Sequence, residues 1–345
     1  MKLLSRIVLL MMVMNSTVLH AQDILLSQYY AQPLLRNPAL AGVFTGDIRA
    51  VASYRNQWQS ITDPYRTFGL STEIKMPINI LADDNLTIGL QLIKDVAGTS
   101  QLSQVQVMPA LNYSILLSGE RNSYLSLAFM GGFMQQKFDP TKLVLNDQFI
   151  TGANGSFSIA PASNQAFTNT DVSYRDLAVG LSYNGELNGS IDYFIGGAMF
   201  HVARPNVAFF ESNTVKLNRK LTVNAGMSIA SGEFDELILY GDYFRQGGNS
   251  TVQGGFMYRH DLYVSDDDRK GITGGVLYRW NDAVIPVLQL ELSNFNIGAS
   301  YDVNVSKLVK ASQYRGGVEI TLAYKNFLNV RKSELRTTRC PRFGN

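Results

Sequence analysis

From residue 46 onward, apolar and polar side chains alternate with period two along most of the chain. Phe68, Leu70, Thr72 and Ile74 interleave with Thr67, Gly69, Ser71 and Glu73, and Leu221, Val223, Ala225, Met227 and Ile229 interleave with Thr222, Asn224, Gly226, Ser228 and Ala230. Val105 to Tyr113, Phe295 to Val303 and Tyr314 to Tyr324 follow the same rule. Successive side chains of a strand point to opposite faces, so each segment has one apolar and one polar face. The pattern predicts strands over 47–55, 66–75, 86–94, 103–115, 122–137, 174–185, 190–200, 219–230, 236–246, 250–259, 270–280, 284–292, 294–303 and 313–325, fourteen in all.

The polar face separates two all-β architectures. In a soluble sandwich that face meets bulk water and carries many charges. Here it is mostly Gly, Ser, Thr, Asn and Gln with scattered charges, which suits a hydrated lumen with hydrocarbon on the apolar side. Segments of about ten residues also match the ~9 to 11 that a tilted strand needs to cross a bilayer. An even strand number closes an antiparallel barrel, and closure matters because lipid cannot satisfy an open edge. The expected fold is therefore all-β, a closed transmembrane antiparallel β-barrel with both termini periplasmic. Its longest connections, 56–65, 138–173 and 201–218, fall on the outer side, but the inner links 76–85 and 260–269 are long for periplasmic turns. A large secreted β-sandwich is the competing architecture.

Composition sharpens this picture. Only 17% of the 345 residues are charged, against roughly 25% in ordinary soluble domains. No run reaches the ~18 to 20 apolar residues of a membrane-spanning helix. Lys2 and Arg6, the apolar run Ile7 to Met14 and a polar stretch ending at Ala21 have the layout of a signal peptide, although Leu19 is large for its place before the cut. The chain thus divides into a signal peptide over 1–21, an extended segment and possible plug over 22–45, a barrel over 46–325 and a basic periplasmic tail over 326–345. Without Lys2 and Arg6 the basic residues number 28, equal to the acidic ones, so bulk charge implies no nucleic-acid partner. Pro33 and Pro38 disfavour helix in the leading segment and predict an extended backbone in the lumen or across its mouth.

Catalytic and metal-binding patterns are weak. His201 and His260, the two histidines beyond the signal peptide, fall in connections on opposite sides of the membrane and share no site. Asp266, Asp267 and Asp268 begin like a calcium loop, yet Lys270 and Leu277 occupy ligand positions, which makes a solvated turn the simpler reading. Diglycine pairs beginning at 131, 196, 254, 274 and 316 fit places where a sheet bends or an inner segment packs closely. Cys340, the only cysteine, rules out an internal disulfide and leaves a tail thiol able to pair with another chain. No enzyme activity and no cofactor are expected.

Three stretches exceed what a barrel wall requires. They are Gln28-Tyr29-Tyr30 with Arg36-Asn37-Pro38-Ala39-Leu40-Ala41-Gly42, then Tyr54-Arg55-Asn56-Gln57-Trp58, and Cys340-Pro341-Arg342-Phe343. Together they resemble the PorP/SprF family of type IX secretion outer-membrane proteins of the Bacteroidota, over essentially the whole chain past the signal peptide. The resemblance implies a fourteen-stranded outer-membrane barrel that is not an enzyme and helps to secrete or retain a large surface protein, such as a gliding adhesin, through that client's C-terminal domain. It implies other type IX components and outer-membrane lipid as further partners. Candidate partner contacts are Asn37, Pro38, Tyr54, Arg55, Trp58, Cys340, Pro341, Arg342 and Phe343. The alternative function is a transport channel, either a porin or a carrier of hydrophobic substrates; a porin would line its constriction with opposed charge clusters, and none is evident in the sequence.

Overall fold

The computed structural model describes residues 23–328, apart from 79, 81–82, 153–155, 161–162, 166, 168, 211–213, 265–268 and 308. The signal peptide, Asp266 to Asp268, and Cys340, Pro341, Arg342 and Phe343 with most of the basic tail lie outside the described residues.

Fourteen antiparallel strands close into a barrel: β1 (Ile48–Gln57), β2 (Tyr65–Ile78), β3 (Asp84–Ala97), β4 (Leu102–Ser118), β5 (Ser123–Lys137), β8 (Asp171–Leu187), β9 (Ile191–Phe200), β10 (Lys220–Ala230), β11 (Asp235–Gln246), β12 (Asn249–Val264), β13 (Arg269–Arg279), β14 (Ala283–Leu292), β15 (Phe295–Asn304) and β16 (Arg315–Asn326). Two short strands, β6 (Phe149–Thr151) and β7 (Phe157–Ile159), pair with each other inside the connection between β5 and β8. Closure runs from Ile48 opposite Asn326 to Gln57 opposite Gly317. The alternation does what its period demands. Phe68, Ile88, Phe129, Leu181, Leu221 and Ile320 point outward and are exposed, while Ser71, Gln91, Asn112, Ser126, Thr222 and Thr321 point inward and are buried.

One end of the barrel, here the loop end, carries the long connections 58–64, 138–170, 201–219 and 305–314. The other, the turn end, carries short ones. Asn188 and Gly189 there both take left-handed backbone (φ 54° and 70°), and the Ser190 N–H donates to the Leu187 carbonyl at 3.2 Å, which is how an Asn-Gly pair reverses two strands tightly. The two inner links that looked long at the sequence level are short. β2 continues to Ile78, β3 starts at Asp84, and β12 and β13 run to Val264 and from Arg269. Buried polar residues such as Lys75, Asp84 and Asn85 continue the strands where the apolar signal fades.

Residues 23–47 enter the barrel and fill its lumen. The structure corrects the expected extended backbone here. Tyr29–Ala31 and Pro38–Leu40 form single 3-10 turns and Pro33–Arg36 one α-helical turn. Each proline opens its turn, where the missing N–H is not needed and the fixed φ suits the geometry. The described residues nearest the two ends of the chain also lie at opposite ends of the barrel, rather than together. Asp23 contacts Gln246 and His201 at the loop end, and the Leu328 N–H donates to Asp47 at the turn end at 3.0 Å. The cause is the lengthwise course of the leading segment.

Leu181 sits midway along the outward row of β8 and is half exposed. Leu181→Arg is expected to destabilise the barrel in a phosphatidylcholine bilayer by about 2–4 kcal/mol. Reversible urea unfolding followed by tryptophan fluorescence measures this, and an unchanged midpoint would contradict a lipid-facing row.

Candidate functional site

The lumenal segment is built into the wall by polar contacts at almost every step. Ser27 and Gln28 donate their N–H groups to the Glu319 carboxylate at 2.6 and 2.9 Å. The Gln32 side chain donates to Ser53 Oγ at 2.9 Å. Arg36 makes two parallel bonds to Asp242, both at 2.7 Å, inside a collar formed by the rings of Tyr29, Phe194 and Tyr240. Asn37 donates to the Leu181 carbonyl at 3.0 Å, Thr222 and Ser182 donate to the carbonyls of Arg36 and Ala39 at 2.7 Å, and Asn112 donates to that of Ala41 at 2.6 Å. A turn-rich segment leaves backbone groups that cannot pair within it, and each must find a partner once buried. The Ser, Thr, Asn and Gln of the inner face supply those partners. Gly180 allows the closest approach, since a Cβ there would run into the Asn37 amide oxygen.

Apolar contacts fill the spaces between. Leu34 and Ala41 pack with Met108, Met130, Met134, Ala178 and Phe200 on one wall, and Tyr29 packs with Ile238, Met257, Leu277 and Ile285 on the other. Tyr30 stacks on Tyr240 with ring centroids 5.0 Å apart.

Above this segment, at the loop end, lies an open vestibule of about 700 Å³. Asp23, Ile24 and Leu25 form its floor, and Arg55, Trp58, Tyr65, Arg279, Trp280 and Asp282 stand on its walls. The two arginines are anchored from below. Arg55 reaches Asp302 at 2.7 Å and the Leu25 carbonyl, and Arg279 reaches Asp282 at 2.8 Å and Ser27 Oγ at 3.1 Å. Trp58 has left-handed backbone (φ 60°) and sets its ring edge-on to Tyr65 at 5.2 Å. The surface is therefore a cup of mixed aromatic and ionic character. Among the described residues no group of three metal-ligating side chains converges.

At the edge of the floor His201 lies between two carboxylates, with Nδ1 2.6 Å from Asp176 and Nε2 2.8 Å from Asp23, while the Lys220 ammonium is 3.5 Å from Asp23. Burial alone would push the imidazole down, but the Asp23 charge and the bonds to both carboxylates raise it to about 9. Burial raises the Asp23 carboxyl in turn, and Lys220 and His201 outweigh that and hold it well below the usual carboxylate range.

The sequence-level candidates separate in space. Arg55 and Trp58 reach the vestibule, Tyr54 points outward and is 45% exposed, and Asn37 and Pro38 are buried in the lumen against β8 and β10. His201 and His260 lie at opposite ends, with His260 inside β12 and 2.7 Å from Asp235. Asp23, Arg279, Trp280, Asp302 and Glu319 were missed. A signal existed, because Asp302 and Glu319 are acidic residues on an inner face, but pairing them with Arg55 requires the barrel to be closed.

A family model described as the type IX secretion system membrane protein PorP/SprF matches residues 18–324. No curated protein matches significantly. Among solved structures, the toluene transporter TbuX of Ralstonia pickettii is similar in fold at 10% identity, with 86% of this chain and 93% of that one covered and a TM-score of 0.50. The CymD monoaromatic hydrocarbon channel aligns at 12% identity over 87% of this chain and 94% of that one, with a TM-score of 0.47.

Two outcomes test how the lumenal segment is held. Arg36→Met leaves Asp242 buried without its partner and is expected to cost about 3–5 kcal/mol in urea unfolding, most of it recovered in Arg36→Met/Asp242→Leu. For pH, a raised folded value means the His201 contribution is complete below about pH 6.5 and fades as pH rises through about 9, whereas the Asp23 contribution fades as pH falls below about 4. The melting-temperature gap between wild type and His201→Gln should be constant near pH 6 and close above pH 9.

Proposed function

The chain belongs to the PorP/SprF family of type IX secretion system membrane proteins, and from that premise we propose that it supports the secretion or surface retention of a client protein by binding the client's C-terminal domain at the loop end. Its barrel fold and its family support an outer-membrane location. The loop end faces outward in this reading, as long connections do in outer-membrane barrels. The carrying observation is the combination of an open vestibule with a lumen filled beneath it. A client segment can enter and dock but has no path onward. The basic tail over 326–345 then lies on the periplasmic side, where it suits an acidic component of the secretion complex.

A transport channel is the second reading, and TbuX, a toluene transporter, is similar in fold. The polar network that fixes residues 23–44 opposes it, because opening a path would part the buried Arg36 from Asp242 and take the Ser27 and Gln28 N–H groups from Glu319.

Planar-bilayer recordings and gene deletion test the proposal together. The full chain should show no large steady conductance, a variant lacking residues 23–44 should conduct, and deletion of the gene should remove at least one type IX cargo from the cell surface. A large stable pore in the unaltered protein, with all cargo retained after deletion, would establish the channel instead.

A further inference from the structure

The barrel wall is uneven at the loop end. β5 pairs with β8 along the whole stretch from Lys137 opposite Asp171 to Tyr124 opposite Asn184. β9 pairs with β8 only from Met199 opposite Val179 to Ile191 opposite Leu187. Beyond Phe200 the chain turns away through His201 and Arg204, both left-handed (φ 57° and 49°), and a single bond from the Val202 N–H to the Leu177 carbonyl, at 3.0 Å, closes the foot of the gap.

That bond fixes which groups are left over. The Leu177 carbonyl faces the β9 side, and the N–H and C=O groups of one residue share a side with those two residues away. Asp171, Ser173 and Arg175 therefore present their backbone groups to a side on which, among the described residues, no strand pairs with β8. Their side chains point outward and are exposed, and beyond Phe133, over whose ring Arg175 lies, the outward residues of β5 and β8 are polar, so the edge emerges from the apolar band toward Asp171. It extends for about 20 Å at ~3.3 Å per residue.

We infer that the β8 edge over Asp171 to Leu177 accepts an added β-strand from an extended segment of the client, so that the client is held by strand addition to the outside of the wall as well as by the vestibule. The inference rests on the client reading. An unpaired edge presents a row of donors and acceptors whose best partner is another extended backbone. At its foot, inside the apolar outer band, a groove of about 530 Å³ lined by Leu111, Phe129, Leu177, Val179 and Val202 around Gly131 suits apolar side chains at the membrane end of such a strand. Counting only the outward row of the edge, 171 to 177, and the sequence of the 201–219 connection, Arg175, Arg204, Lys216 and Arg219 outnumber Asp171 and Glu211, which favours a segment carrying acidic residues. A second copy of this chain would bring the same cations face to face, so self-pairing is disfavoured.

Proline at 173 removes an edge donor and leaves the β5–β8 ladder intact, because the Ser173 N–H faces away from β5. The test compares cells carrying the wild type, Ser173→Pro, Ser173→Ala and a gene deletion. The cargo is the surface protein lost on deletion. Ser173→Pro, with the barrel present in normal amount and still heat-modifiable, should lower its surface level about tenfold, while Ser173→Ala leaves it unchanged. Hydrogen exchange at Arg175 should be slower in wild-type outer-membrane vesicles than in purified protein in nanodiscs, and this slowing should disappear in vesicles from cells lacking the cargo. Wild-type cargo levels in Ser173→Pro overturn the inference while leaving the client reading in place. So does protection of Arg175 that survives cargo loss, whether it comes from lipopolysaccharide, when polymyxin abolishes it, or from a second copy, when crosslinking yields a double-mass species. Retention of all cargo after deletion overturns the client reading and this inference with it.

Discussion

The need to pair buried polar groups inside a closed wall is the constraint from which the rest of this structure follows. Lipid outside demands an apolar outer row and no open edge within the hydrocarbon. The inner row then needs partners. In this protein a turn-rich polypeptide supplies most of them within the barrel, and the exchange works in both directions. Backbone groups of residues 27–44 are satisfied by Ser182, Thr222, Asn112, Glu73 and Glu319, and those side chains are satisfied by the backbone.

Electrostatics obeys the same rule. The chain beyond its leading residues has no net charge, yet its lumen is densely ionic. Near the loop end Arg55 and Arg279 share Asp302, and near the turn end Arg259 meets Glu291 at 2.6 Å and Asp261 at 3.0 Å. These are opposed charges of the kind expected of a porin constriction, but here they are spent on one another and on the inner segment. Buried pairs of this sort contribute little net stability and much to a single arrangement, because losing one member leaves the other stranded.

Strand number, strand direction and the identity of the lipid-facing row were legible from period two alone, since Leu221 to Ile229 or Val318 to Tyr324 admit no other pleat. The strand ends were not, because Lys75, Asp84 and Asn85 are polar and still belong to the wall. The lumenal segment was readable as present but not in its shape. Pro33 and Pro38 point to an extended chain by sequence alone, whereas each starts a short turn. The charge clusters escaped for a topological reason: Arg55 and Glu319 lie in the first and last strands, and only the seam between β1 and β16 makes them neighbours.

The lengthwise course of residues 23–47 also constrains the order of assembly. Gly46 turns the chain from the lumen into β1 against the backbone of Asn326, at the foot of the seam that completes the cylinder. Arg36, ringed by Tyr29, Phe194 and Tyr240 and paired with Asp242, ties the leader to strands on the far side of the cylinder. Closure of the cylinder and seating of the leader are therefore coupled, since the leader's last residues are anchored where the first strand meets the last.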